Sequence, residues 1–349
     1  IEAGAAYPLA TSSEKEEKDF IKLCSNENSR GPSPKAVEAV RKEADEIGQY
    51  PESSSSELKE AISEYMGVEP FQICVGNGSD EVMDLACKAF TDPGDKVLVP
   101  IPTFSQYELA SRVNALVPKF VELKDFKWNS KDLLEEISDV KAVFIGRPNN
   151  PTGNSIDEKG LKKLLETGKM IIVDEAYGEF ANYSVADWIE DYDNLLVLRT
   201  FSKIFGIAGL RIGYGMGNRE LIEALQRVRP PFSVNRLAQK AAISALKDMD
   251  FVEESRKMIV EEKEKLRQEL EELNFEVLPS DANFLMATPS PLGMDAADVC
   301  DYLSQKGILI RNLSGFKGAG PEWIRITIGT PEQNKRLIGA LKKLGGEKE

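Results

Sequence analysis

The stretch Leu195-Leu-Val-Leu-Arg-Thr-Phe-Ser-Lys-Ile-Phe-Gly206 opens on four apolar residues, turns polar at Arg199-Thr200, and ends on Lys203 and a glycine. A short apolar run bounded by a turn reads as a strand buried on both faces. Upstream, Met170-Ile-Ile-Val-Asp174-Glu-Ala-Tyr177 has the same form with a carboxylate where the later segment has an amine. If the two strands lie parallel, Asp174 and Lys203 arrive at the same edge of one sheet.

Other β-rich runs fall at 71–75, 96–100, 116–121, 142–145 and 211–214, and amphipathic helical patterns separate them at 81–90, 104–113 and 158–166. This alternation, with strands apolar throughout, predicts an α/β architecture whose sheet is covered on both faces. Ser53 to Ser56 reads as a loop before a helix that begins near Glu57. Past Asn218 the pattern turns helical, at 220–228, 233–247 and 251–273. The last of these is heavily charged, yet Met258, Ile259, Leu266, Leu270 and Leu273 recur at helical spacing, which describes a solvated helix with one packed face. Strands at 275–278, 283–287, 308–311 and 324–328 and helices at 296–305 and 331–344 complete a small α+β unit. The expected division is an N-terminal arm with part of the small domain at 1–40, a large domain at 41–245 and a small C-terminal domain at 246–349.

Composition narrows the chemistry. A chain of 349 residues suits about two domains. Lys plus Arg number 44 against 58 Asp plus Glu, a net charge of −14, so the overall field repels nucleic acid and anionic membranes and any bound anion must be captured locally. No apolar run approaches the ~20 residues of a membrane span and the first residues lack the order of a signal peptide, so a cytoplasmic protein is expected. Cys24, Cys74, Cys87 and Cys300 lack metal or redox spacing and read as reduced, structural residues. The chain contains no histidine, which removes Ser-His-Asp and Cys-His nucleophilic sites, His-ligated zinc and imidazole bases together. Proton transfer must use Lys, Tyr, Asp, Glu or Cys, and no metal site is expected.

An amine and a carboxylate at one sheet edge are what pyridoxal phosphate requires: a lysine to hold the aldehyde as a Schiff base, and a buried acid to keep the pyridine nitrogen protonated. Strand Ile73-Cys-Val75 runs into Gly76-Asn-Gly-Ser-Asp-Glu81 and a helix. The free N–H groups and dipole of such a helix start bind phosphate, so Ser79 and Asp80 are candidate contacts; Ser79 with Glu81 also reads as an ordinary capping box. Thr200, Ser202 and the forked donor of Arg211 form a second anion cluster. Asn150, in the turn Asn149-Asn-Pro-Thr-Gly153, and the phenol of Tyr177 are placed to hydrogen-bond the ring oxygen, while Phe104 offers a stacking face. The glycines of Gly213-Tyr-Gly-Met-Gly217 lack dinucleotide-binding spacing, which argues against a nucleotide-dependent oxidoreductase.

These segments together resemble the fold-type I pyridoxal phosphate aminotransferases, and within them the histidinol-phosphate aminotransferases. Further motifs carry the resemblance: Ser25-Asn-Glu-Asn28, Gly31-Pro-Ser-Pro34, Tyr50-Pro-Glu52, Ala208-Gly-Leu-Arg211, Arg229-Pro-Pro-Phe-Ser-Val-Asn235, Ser280-Asp-Ala-Asn283 and Arg325-Ile-Thr-Ile-Gly329. The resemblance spans about residues 23–344. It implies an aspartate aminotransferase-like fold, with a mostly parallel seven-stranded sheet and a smaller α+β domain. Lys203, Asp174 and Tyr177 would be catalytic, and Ser79, Asp80, Phe104, Asn150, Thr200, Ser202 and Arg211 would hold the cofactor; Phe104 stands where the family usually has tyrosine. Arg325, Arg311, Asn28 and Tyr7 would meet substrate, and Tyr50 would reach the cofactor and substrate of the other subunit of a homodimer. The segment before Leu23 departs from the family by being short and lacking a Pro-Gly element. The implied reaction is reversible amino transfer between histidinol phosphate and 2-oxoglutarate, in histidine biosynthesis. Aromatic aminotransferase, threonine-phosphate decarboxylase and a non-catalytic binding protein on the same scaffold are the alternatives.

Overall fold

The computed structural model describes residues 20–344. The strands are β1 (Ile21–Lys22), β2 (Ile73–Gly76), β3 (Lys96–Ile101), β4 (Val117–Glu122), β5 (Ala142–Gly146), β6 (Met170–Asp174), β7 (Leu195–Thr200), β8 (Gly213–Met216), β9 (Glu276–Val277), β10 (Phe284–Thr288), β11 (Ile308–Leu309), β12 (Arg311–Asn312) and β13 (Ile324–Thr327). The helices are α1 (Pro34–Glu43), α2 (Ser56–Met66), α3 (Ser79–Phe90), α4 (Gln106–Val113), α5 (Ser130–Glu136), α6 (Glu158–Leu165), α7 (Gly178–Ala181), α8 (Arg219–Val228), α9 (Arg236–Leu246), α10 (Met249–Glu272), α11 (Ala296–Gln305) and α12 (Pro331–Leu344).

A seven-stranded sheet takes the order β2-β8-β7-β6-β5-β3-β4. Pairings from β4 through β3, β5 and β6 to β7 are parallel, while β8 runs antiparallel to both β7 and β2. Six strands therefore point one way, with β8 reversed between them. The expected α/β fold and its seven strands are observed. Residues of β2, β5, β7 and β8 are buried on both sides, which is why, apart from the polar end of β7 at Arg199-Thr200, their sequences do not alternate apolar with polar residues. At the outer edge, β4 is largely open and is blunted by Lys119, which pairs with Glu136 and Asp139, as exposed edges generally need.

A second sheet, β12-β13-β10-β9, is antiparallel, and β1 pairs in parallel with β11. The single strand expected at 308–311 is two strands. Its first half bonds to β1 and its second to β13, because Ile310 is where the chain exchanges one neighbour for the other. The structure adds α1 to the expected elements; Ser33 caps it by accepting from the Ala36 N–H and Pro34 stands in its first turn, a recognisable start signal. Helix α10 behaves as expected: Ile259, Leu266 and Leu270 are buried along one face of an otherwise charged rod. Among the described residues no helix is long and apolar enough to cross a membrane, and all four cysteines are unbridged.

Candidate active site

Parallel strands deliver the residues that follow them to one edge of the sheet, and a cavity of about 320 Å³ lies there. Phe104 comes from the loop after β3, Asn150 from the loop after β5, Asp174 and Tyr177 from the end of β6, and Thr200, Ser202 and Lys203 from the end of β7. Ser79 and Asp80 belong to the first turn of α3, and Arg211 precedes β8; all three line the same cavity. The register explains the convergence: Gly146 sits beside Asp174, Asp174 beside Leu198, and Thr200 beside Gly213.

Asp174 lies in the floor, 6% exposed. One carboxylate oxygen accepts the Tyr107 phenol O–H at 2.9 Å and the other accepts the Ala176 N–H at 3.1 Å. Burial raises its pKa to about 6, and the Tyr107 bond opposes that rise, because taking a carboxylate out of water penalises its charge. Lys203 is half-buried. Its amine donates to the Ser25 carbonyl at 3.2 Å and sits 5.6 Å from the Tyr177 ring centre. Desolvation first, and the Arg325 charge second, bring the amine down to about 8. Tyr177 accepts from the Asn26 amide at 2.9 Å.

The cavity's anion-binding end is built on α3. Its N-cap is Gly78 rather than a capping side chain, so the first turn is left open toward the cavity; the alternative Ser79–Glu81 box is absent, and Glu81 instead accepts the Asn77 N–H at 2.6 Å. Arg211 reaches the same turn and pairs with Asp80 at 3.1 Å. Gly213 makes the approach of β8 possible: a Cβ there would collide with Ser79 N and lie 2.8 Å from Gly78 C.

Arg325 enters from the second sheet. It is buried, donates to the Asn150 side-chain oxygen, and donates to the Cys24 carbonyl at 2.8 Å. Arg311 is its cross-strand partner and is also buried, with its guanidinium 5.6 Å from the Phe316 ring centre. Neither is the surface ion-pair residue that an isolated arginine suggests. Among the described residues the cavity wall includes Arg325 but not Arg311, Asn28 or Tyr50. Asn28 is buried and bonds to the Ile204 carbonyl at 2.7 Å, bracing the lysine loop. Tyr50 is 78% exposed and stacks on Phe232 at 4.7 Å. Tyr7 lies outside the described residues.

On the opposite face of β6 and β7, Glu175 is fully buried against Arg199 at 2.9 Å, and Arg199 also pairs with Glu179 at 2.7 Å. Glu175 further accepts from Ser184 Oγ and the Val185 N–H. These bonds clamp the ends of the two strands that carry Asp174 and Lys203. Tyr107, Asn26 and Ser25 join the site beyond the residues that the sequence identifies. Ser25 and Asn26 lie within Ser25-Asn-Glu-Asn28, and the only local signal for Tyr107 is its spacing three residues after Phe104.

The profile of the "Aminotransferase class I and II" family matches residues 18–341. The chain belongs to that family. A histidinol-phosphate aminotransferase of Methanosarcina barkeri is 43% identical over 345 residues, covering 98% of this chain and 91% of the relative. The crystal structure of the histidinol-phosphate aminotransferase from Clostridium acetobutylicum superposes with a TM-score of 0.88 at 28% identity, over 94% of this chain and 100% of the other. That of Sinorhizobium meliloti, in complex with pyridoxal-5'-phosphate, gives 0.85 at 25% identity, over 94% and 91%. Family membership and the lysine–carboxylate cavity agree on the class of chemistry, an aminotransferase.

Proposed function

We propose that this chain is a pyridoxal phosphate-dependent histidinol-phosphate aminotransferase that exchanges an amino group between histidinol phosphate and 2-oxoglutarate. The observation that carries the reading is one cavity in which the Lys203 amine, the buried Asp174 carboxylate and the open start of α3 converge, in a chain 43% identical to an enzyme of that name. The donor set fits the cofactor. The first turn of α3, Ser79, Thr200, Ser202 and Arg211 would hold its phosphate, with Asp80 contributing its N–H while its carboxylate stays on Arg211. Asp174 would face the pyridine nitrogen, Asn150 and Tyr177 the ring oxygen, and Phe104 one ring face.

When bound, pyridoxal phosphate supplies an electron sink for the amino donor's carbon. The protein's part is positional and protonic. Lys203 Nζ would hold the cofactor and would carry a proton to and from the substrate carbon, a role suited to an amine held near 8 rather than at its ordinary value. Arg325 at the cavity wall would meet the substrate anion, with Arg311 behind it and Asn28 fixing the lysine loop. Tyr50, exposed beside Phe232, would enter the site of a second copy in a homodimer. The division into a large domain at 41–245 and a small one at 246–349, with 1–40 as an N-terminal arm and part of the small domain, would put the substrate between two sheets.

The test is the visible absorbance of cofactor-loaded protein before and after histidinol phosphate, with Lys203→Ala as control. Bleaching that 2-oxoglutarate restores supports the reading. Absorbance indifferent to histidinol phosphate moves the substrate elsewhere in the family, with carbon dioxide release from threonine phosphate pointing to the decarboxylase branch. No cofactor band in the wild-type protein at saturating pyridoxal phosphate would sink the assignment itself.

A further inference from the structure

Tyr107 has two possible reasons to be where it is. Its ring stacks on Phe144 at 5.1 Å with planes 6° apart and meets the edge of Phe104 at 5.8 Å, a packing job that phenylalanine would perform equally well. Its hydroxyl is a separate matter. The residue is 2% exposed, and the phenol oxygen lies 2.9 Å from Asp174 Oδ2. Gly146 at the end of β5 lies beside that oxygen: a Cβ there would stand 3.3 Å from it and closer still to Asn149. A buried hydroxyl needs a partner, and here the partner is the one carboxylate in the cavity floor.

We propose that Tyr107 is a positioning residue that acts through Asp174, its phenol O–H fixing and holding ionised the carboxylate that faces the cofactor ring. The inference rests on the reading of Asp174 given above. With Oδ2 held by the phenol and Oδ1 by the Ala176 N–H, the carboxylate plane is set by two donors from different elements. In a chain without histidine, the phenol supplies the neutral donor that imidazole could otherwise provide. Burial holds the phenol's pKa well above its ordinary value, so the phenol stays a protonated donor. The other groups bearing on this pair are Asp80 from α3, Lys203 from the loop after β7 and Tyr177 beyond β6; none of them donates to the carboxylate at a distance comparable with the phenol's.

The experiment uses holoenzyme with ring-nitrogen ¹⁵N-labelled pyridoxal phosphate, comparing wild type, Tyr107→Phe, Asp174→Asn and the double variant. Tyr107→Phe keeps the stack and removes one hydroxyl. Expected are an about tenfold weaker cofactor dissociation constant, the loss of one charge-assisted hydrogen bond, a ¹⁵N signal displaced toward neutral pyridine, and an acid limb of kcat moved to higher pH. Neither the constant nor the signal should change further when Tyr107→Phe is added to Asp174→Asn. A wild-type ¹⁵N signal and dissociation constant in Tyr107→Phe, or equal effects of the substitution with and without Asp174, would overturn the inference. An unaltered ¹⁵N signal in Asp174→Asn would instead remove its premise and overturn both. Should Tyr107→Phe fold poorly, 3-fluorotyrosine at position 107, a stronger donor of nearly the same shape, must move the signal the opposite way, toward the protonated ring; no movement again overturns the inference.

Discussion

Arg199 stands between Glu175 and Glu179, and Arg267 stands between Glu264 and Glu271. The charges are the same and the distances similar, yet the first trio is buried behind the sheet edge and the second lies along the open face of α10. In water an ion pair mostly exchanges one favourable solvent for another and is screened by salt. In the interior each charge has given up its hydration, so removing one partner strands the others. The buried trio is therefore a joint between β6 and β7, whereas the exposed one is a surface decoration on a helix already held by Ile259, Leu266 and Leu270.

The harshest way to break the comparison is Arg199→Met, which leaves Glu179 buried without its cation and Glu175 with only Arg147, 3.6 Å away. It should cost about 3–5 kcal/mol in urea unfolding; a loss below 1 kcal/mol would mean that water already reaches the trio. Asp174 sharpens the point, as a buried carboxylate next to Glu175 in sequence that has a phenol instead of an arginine. Its folded pKa of about 6 exceeds the ordinary 3.8, so the fold favours its protonated form. That contribution is complete below pH 4 and lost as pH rises through 6. Asp174→Asn should accordingly stabilise cofactor-free protein by roughly 3 kcal/mol at pH 8 and by almost nothing at pH 4. Equal effects at the two pH values would refute the shift.

Lys203 is displaced in the opposite sense. With its amine near 8 instead of 10.5, capture of pyridoxal phosphate by cofactor-free protein should accelerate about tenfold from pH 7 to its plateau and level off soon after pH 8. A rate still climbing at pH 10 contradicts this. The smallest effect belongs to Arg267→Ala, whose unfolding midpoint should be indistinguishable from wild type in 0.15 M salt; a clear drop would show that α10 depends on its charges.

Much of the fold was legible because a buried parallel strand writes itself as an unbroken apolar run. Met170–Asp174 and Leu195–Thr200 are such runs, and their polar ends announce the cavity. What escaped depends on register between distant segments. Tyr107 reads as a helix residue packed in the core, and only the alignment of Gly146 with Asp174 turns its hydroxyl toward a carboxylate. The split at Ile310 escaped for a similar reason, since nothing local says that residues 308 and 309 belong to β1. The helix start at Ser79 is legible in the sequence, and of its two readings, an open anion-binding turn or a side-chain cap, the Gly78 N-cap leaves it open.

β1 pairs with β11, the Leu23 N–H donates to Leu309, and the Thr327 N–H donates to Leu23. This strings residues 21–28 between segments made at the far end of synthesis, so that Ser25 and Arg325 become walls of one cavity. A chain still emerging from the ribosome can expose Asp174 and Lys203 long before that wall exists. The cavity is therefore walled on that side only once the segments at 307–309 and 324–327 have folded back onto residues 21–26.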